Sequence, residues 1–427
     1  METEKIVIYS EYKSNRLVYT CDIVFRNILK INYEIINDKS KLQDDKLKTI
    51  NYSNENIENS TWIIPSGLLE QTGIREQNIK TRKINGIASI FYNGKGDIRF
   101  DIFSAVFYML SRYEEYLPSE TDEHGRFRSI NSLAFKKRFH KEPVVEYWIR
   151  HLSSILQIKF HDDTFNTLVT IDVDFAWKFL NRGFFKNFGG FVKSVFKLDF
   201  TLATERISVL TKRTADPYFT FGYLDKIQKK LSHPIQYFIL IGRKKLDNAV
   251  SYRKKASKSI VRKLDSLNPV GIHPSYSSNK SLKELRNEIK TLNKITGGQT
   301  IKSRQHYLKL KIPKTYQTLI NLGIKEEYTM GWSDQTGFRA GISRPYLFYD
   351  ISKEQQTELL IFPFVAMDRT LKDYLKLAPV EALKELKKIK EKVKSVGGQF
   401  CILWHNDSLS DKEEWAGWRE VFEKIIS

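Results

Sequence analysis

Leu168-Val-Thr-Ile-Asp172-Val-Asp174 is an apolar run that ends in two acidic residues two positions apart. Such a run suits a buried strand, and residues two apart on a strand share a face. Further short apolar runs follow at 235–241, 270–273, 300–304, 327–330, 359–365 and 400–404, and most of them also run out near an Asp, His or Arg. Helical stretches lie between most of them, such as 281–295 and 380–396, the latter closed by Gly397-Gly398. Alternation of this kind implies a parallel sheet with right-handed crossovers. Its closed version is a barrel with reactive groups where the strands end. The expectation for residues 165–427 is therefore α/β, a distorted (β/α)7-type barrel.

Upstream, residues 1–155 read as a smaller mixed α/β domain that carries no assigned role. Strands are expected at 6–9 and 62–65. A helix is expected over 101–117, with Ile102, Val106, Met109, Leu110 and Tyr113 at helical spacing and Asp101 as its cap. Two polar stretches, Tyr113-Glu-Glu-Tyr116 and Asp122-Glu-His-Gly-Arg126, are placed to touch the second domain, and His161-Asp-Asp163 reads as a linker. A chain of 427 residues is long enough for two such cores.

Composition narrows the function classes. Hydrophobic content of 41% and aromatic content of 13%, spread along the length, argue for a folded protein. The first residues carry acid where a secretory signal carries base, and no apolar run is long enough to span a bilayer. Cys21 and Cys401 are the only cysteines, which suits a reducing compartment better than a disulfide framework. The chain reads as cytoplasmic and peripheral, at most, to a membrane. Its net charge of +20 is concentrated in residues 178–263, where 20 Lys or Arg face 5 Asp or Glu. Such a field favours an anionic partner such as an acidic glycan or a lipid headgroup, and its bland alternative is a solvated lysine-rich surface. Within it, residues 178–200 mix aromatic and basic residues as an interfacial helix does, although an ordinary packed helix can do so too. No nucleic-acid-reading motif is present, so no nucleic-acid partner is expected.

The chemistry concentrates at the strand ends. Asp172 and Asp174 repel each other unless a cation or guanidinium separates them, which makes the pair a metal-site candidate. His273, in Gly271-Ile-His-Pro-Ser-Tyr276-Ser, His306, in Arg304-Gln-His-Tyr307, and His405, in Leu403-Trp-His-Asn, are three of eight histidines and fall at three expected strand ends. Imidazoles there suit zinc or a similar metal.

In this order the motifs resemble those of the polysaccharide deacetylases, the NodB-like carbohydrate esterases, over roughly residues 165–427. More closely they are similar to a divergent bacterial branch with an additional N-terminal domain. The resemblance implies that Asp172 is the catalytic base and Asp174 a metal ligand, with His273 as a second ligand. It implies that Arg304 tethers the base and that the Tyr307 amide helps form an oxyanion hole. Asp368 would tune His405, which protonates the leaving amine. Tyr276, Arg339 and Trp404 would contact the sugar. The implied reaction is removal of an N-acetyl group from an acetamido sugar of a glycan or glycan precursor, anionic or lipid-linked, with zinc, cobalt or nickel as the divalent metal.

Two departures bear on that set. Ser277 stands where the family's second motif carries another histidine, leaving His306 as the substitute ligand at the same rim. Otherwise the metal is weakly held, completed by His124, or absent. The aspartates of the first motif are also separated by one residue where the family has them adjacent. The rival readings are another metal-dependent hydrolase on the same barrel, such as a phosphoesterase, and a carbohydrate-binding relative without catalysis.

Overall fold

The computed structural model describes residues 5–43, 47–162, 164–242, 246–247, 252 and 254–427. Parts of the basic stretch, and Asp163 of the expected linker, lie outside the described residues.

The chain opens with β1 (Lys5–Ser10), β2 (Asn32–Ile36), β3 (Lys48–Tyr52) and β4 (Thr61–Ile63), paired in parallel in the order β2-β1-β3-β4. Every residue of β1 from Ile6 to Ser10 is buried, as both faces of a covered parallel strand require. A two-stranded antiparallel hairpin follows, β5 (Thr81–Ile84) with β6 (Ile87–Ile90). The helix expected at 101–117 is shorter, Ile102–Leu110, and all of its residues are buried. Asp101 caps it by accepting from the Ser104 amide at 3.0 Å, and its other oxygen accepts from Tyr52 Oη at 3.0 Å.

The second sheet has nine strands: β7 (Asn166–Val173), β8 (Gln236–Leu240), β9 (Gly271–His273), β10 (Lys302–Ser303), β11 (Glu326–Glu327), β12 (Tyr346–Asp350), β13 (Gln355–Ile361), β14 (Ala366–Met367) and β15 (Gln399–His405). Their order is β12-β13-β11-β10-β9-β8-β7-β15-β14, and all neighbours are parallel except β12 and β13. Among the described residues the ring expected of a barrel is not closed by strand pairing, because β12 and β14 end the order without meeting. Instead the chain leaving β13 carries hydrogen bonds to both sides in turn. The Phe362 and Phe364 amides donate to the Glu327 and Met330 carbonyls, and the Val365 amide donates to Cys401 across the gap.

One continuous buried core runs through both sheets. Arg16, 1% exposed, grips Glu354 just before β13 through Nη2 at 2.5 Å and Nε at 2.9 Å, and Tyr19 Oη donates to the Leu347 carbonyl at 2.8 Å. Glu146, buried on the amphipathic helix Val144–Ile155, accepts from the Ser343 amide and hydroxyl, both at 2.7 Å. Cys21 and Cys401 are buried and unpaired.

Candidate active site

Five strand ends of the large sheet converge on one cavity of about 520 Å3. Asp172 belongs to β7 and Asp174 follows directly after it; both are buried and both face His273, whose Nε2 lies 3.5 Å from Asp172 Oδ2 and 3.4 Å from Asp174 Oδ1. The other ring nitrogen of His273, Nδ1, lies 2.5 Å from the Arg304 carbonyl. A carbonyl only accepts, so Nδ1 carries a proton and Nε2 is the ring atom turned toward the aspartates.

His306 comes in from the turn after β10. Its Nε2 is 3.5 Å from Asp174 Oδ2, and its Nδ1 is 2.7 Å from Asp247 Oδ1. Asp247 is itself held by the amides of Tyr276 at 2.8 Å and Ser277 at 3.2 Å. The segment that carries serine in place of a second histidine therefore fixes the carboxylate that orients His306. This is the outer-shell arrangement that sets tautomer and direction in metal-binding histidines.

One ligand atom each from Asp174, His273 and His306 lies within 4.8 Å of the others. Burial pushes the Asp174 carboxyl up, yet the flanking His306 and His273 rings hold it well below the usual carboxylate range. Asp174 Oδ1 is buried without a hydrogen-bond partner. Burial opposes charge on His306 as well, but Asp174 and Asp247 push its pKa up to about 9. A point that draws a proton this strongly between carboxylates is one that a divalent cation also satisfies, and the donor set fits a three-ligand Asp/His/His centre.

Across the cavity, His405 ends β15. Its Nδ1 lies 2.8 Å from Asp368 Oδ1, its amide donates to Asp368 Oδ2 at 2.8 Å, and the Ser408 hydroxyl donates to the same oxygen. Burial would lower the ring's pKa, but Asp368 pushes it up to about 9. His405 Nε2 points inward, 3.9 Å from Asp174 Oδ2. Arg304, fully buried, donates from Nη1 to Asp172 Oδ1 at 3.1 Å and to Thr170 Oγ1 at 2.7 Å, so the carboxylate is fixed from behind. Tyr307 takes up φ 59° and ψ 14°, a left-handed conformation that costs a non-glycine residue roughly 1 kcal/mol, and its residue lines the cavity.

The sugar contacts expected of Arg339 and Trp404 are corrected. Arg339 is buried in a bidentate pair with Glu115, at 2.9 and 2.6 Å, and does not reach the cavity. Trp404 is fully buried against Phe422, ring centres 5.4 Å apart. As the strand neighbour of His405 it faces the other way. Tyr276 is not among the cavity-lining residues but makes edge contact with Tyr307, which is, with ring centres 5.3 Å apart. His124 is outside the triad and packs instead on Tyr307 and Tyr276.

The cavity is also lined by two arginines to which the sequence reading gave no role at the site. Arg126, from the early part of the chain, donates to the Tyr307 carbonyl and to Tyr374 Oη, both at 2.9 Å. Arg369 lines the cavity and pairs with Asp407 at 2.6 Å. The polar stretch 122–126 was a hint for Arg126; Arg369 had none.

Residues 6–161 match a family of unknown function, DUF7033. No curated protein matches the chain. Among solved structures, the chain is similar to a putative polysaccharide deacetylase from Mycobacterium smegmatis, with 14% identity, a TM-score of 0.40 and coverage of 62% of this chain and 85% of that one. It is also similar to the Puue allantoinase and to a probable polysaccharide deacetylase from Pseudomonas aeruginosa PAO1. Each of these has 10% identity, a TM-score of 0.38 and coverage of 62% of this chain and 84% of that one. At TM-scores of this size the likeness says nothing about what this chain does.

Proposed function

We propose that the chain is a metal-dependent hydrolase that removes an N-acetyl group from an acetamido sugar of a glycan or glycan precursor. The observation that carries this reading is one cavity holding an Asp174/His273/His306 cluster, a tethered carboxylate at Asp172 and an opposed His405–Asp368 pair. A base and an acid on either side of a cation site are what amide hydrolysis requires, because the amine leaves only once its nitrogen is protonated.

In this reading Asp174, His273 and His306 would hold a divalent cation, zinc first by donor type and cobalt or nickel as alternatives. A cation bound there would supply polarisation of the amide carbonyl and a lowered pKa for water. Asp172, kept in place by Arg304, takes the proton of the attacking water. The Tyr307 amide donates toward the oxygen on which negative charge develops. His405, kept protonated by Asp368, gives its proton to the nitrogen as the C–N bond breaks, so acetate and a free amine leave. Among the described residues no helix is long and apolar enough to cross a membrane. A cytoplasmic setting suits a precursor better than a finished wall polymer.

The test is acetate release from N-acetylated hexosamine oligomers by zinc-loaded protein, beside phosphate release from a sugar phosphate. Acetate should appear, and Asp172→Asn and His405→Gln should each lower the rate by roughly 100-fold or more. Phosphate release without acetate would favour the phosphoesterase alternative, and neither product would favour the carbohydrate-binding one.

A further inference from the structure

The helix Phe184–Phe196 is built inside out. Its buried residues are Asn187 and Ser194, whereas Phe184, Phe185 and Phe196 are 75%, 89% and 84% exposed. The polar side is anchored: Asn187 Nδ2 donates to the Phe179 carbonyl at 2.9 Å, and its Oδ1 accepts from Arg206 Nη1 at 3.1 Å. Turning the phenylalanines inward would break these bonds. The exposed surface continues through Leu198 and Phe200 into the next helix, Phe200–Leu210, where Ile207 and Leu210 are also exposed. An apolar surface of this extent forgoes its transfer free energy in water and marks a contact site.

Its charge chooses the occupant. Lys186, Lys193, Lys197, Lys212 and Arg213 are exposed on and beside these helices. The nearby acids are engaged elsewhere: Asp199 caps the second helix through the Leu202 amide at 2.9 Å, and Glu205 pairs with Lys178 at 2.9 Å. Aromatic rings interleaved with cations that form no ion pair among the described residues match the boundary of an anionic bilayer, where rings enter the acyl edge and lysines meet headgroups. With no membrane-spanning helix among the described residues, such a contact is interfacial.

The surface is joined to the cavity. Phe175 lines the cavity directly after Asp174, the Arg182 guanidinium lies 5.2 Å from its ring, and Phe184 follows two residues later. We propose that the helix pair 184–210 docks the chain on an anionic lipid surface and that the substrate is an acetamido sugar carried on a membrane lipid. The docking stands on the surface alone; the substrate class rests on the deacetylase reading.

The full chain should float with mixed phosphatidylcholine/phosphatidylglycerol vesicles, not with pure phosphatidylcholine, and less so as salt rises. The double variants Phe185→Ser/Phe196→Ser and Lys186→Glu/Lys193→Glu should each weaken the partition roughly tenfold or more, leaving acetate release from a soluble acetamido sugar unchanged. Wild type that fails to float with anionic vesicles, or variants that float as well as wild type, would overturn the docking. So would a wild-type dimer that Phe185→Ser/Phe196→Ser turns into a monomer without any vesicle binding, since a second copy would then own the surface. Flotation without acetate release from any acetamido sugar would leave the docking standing and remove the substrate class.

Discussion

Asp174 accepts the approach of three imidazoles while one of its oxygens has no hydrogen-bond partner; Asp172 is tied to Arg304, and Asp247 and Asp368 are each committed to one histidine. Asp247 orients His306 and Asp368 orients His405, so two rings of the same residue type are set for different tasks. The pH consequence follows for His405. Its raised pKa keeps the ring protonated, and so able to act as an acid, up to about pH 9. Asp368→Asn removes the largest influence raising that value, so the alkaline fall of kcat should move to lower pH. A pH profile with an unmoved alkaline limb would assign the proton to another group. Much of this site was legible because Asp172, His273 and His405 each lie at the end of an apolar run, with Arg304 at the end of a short expected strand. Asp247 was not, because it sits in a lysine-rich segment with no strand to mark its place. Trp404 was misread although the alternation of strand side chains already put it opposite His405.

At the scale of elements, periodicity placed β7, β8, β9, β13 and β15 to within a few residues. It missed β12, whose hairpin with β13 turns through four residues and adds an antiparallel pair to the otherwise parallel large sheet. It also missed β14, two residues long and recognisable only by its partner β15. A sequence gives no local signal for whether a row of strands closes, since closure depends on pairing between distant segments. The helix Val144–Ile155 supplies a test of how the early chain is held. Burial pushes the Glu146 carboxyl up from its ordinary 4.5 to about 7. The folded state therefore keeps a proton that the unfolded state gives up. The stability this contributes is complete below about 4.5 and is lost as pH rises through about 7. Glu146→Gln does not titrate, so across that window its stability should gain on wild type by up to ~3 kcal/mol, read from urea unfolding at both ends. Parallel curves for the two proteins would show that the carboxyl is ionised in the fold.

For the whole molecule, the early chain and the large sheet meet at both ends of the site's support. Arg16 clamps Glu354 behind β13, Glu115 holds Arg339, and Arg126 reaches the Tyr307 carbonyl at the cavity mouth. The backbone turn that presents Tyr307 thus depends on a residue nearly two hundred positions upstream, a link that no local motif encodes. All of this architecture serves one claim, that Asp174, His273 and His306 together hold a divalent metal. The most direct measurement is zinc retained after dialysis against a weak chelator, by wild type and by His273→Ala, His306→Ala, Asp247→Asn and Ser277→Ala. Wild type and Ser277→Ala should keep zinc, the two histidine variants should lose it, and Asp247→Asn should bind it about 10–100-fold more weakly. Full zinc occupancy in His306→Ala, or none in wild type, would contradict the account.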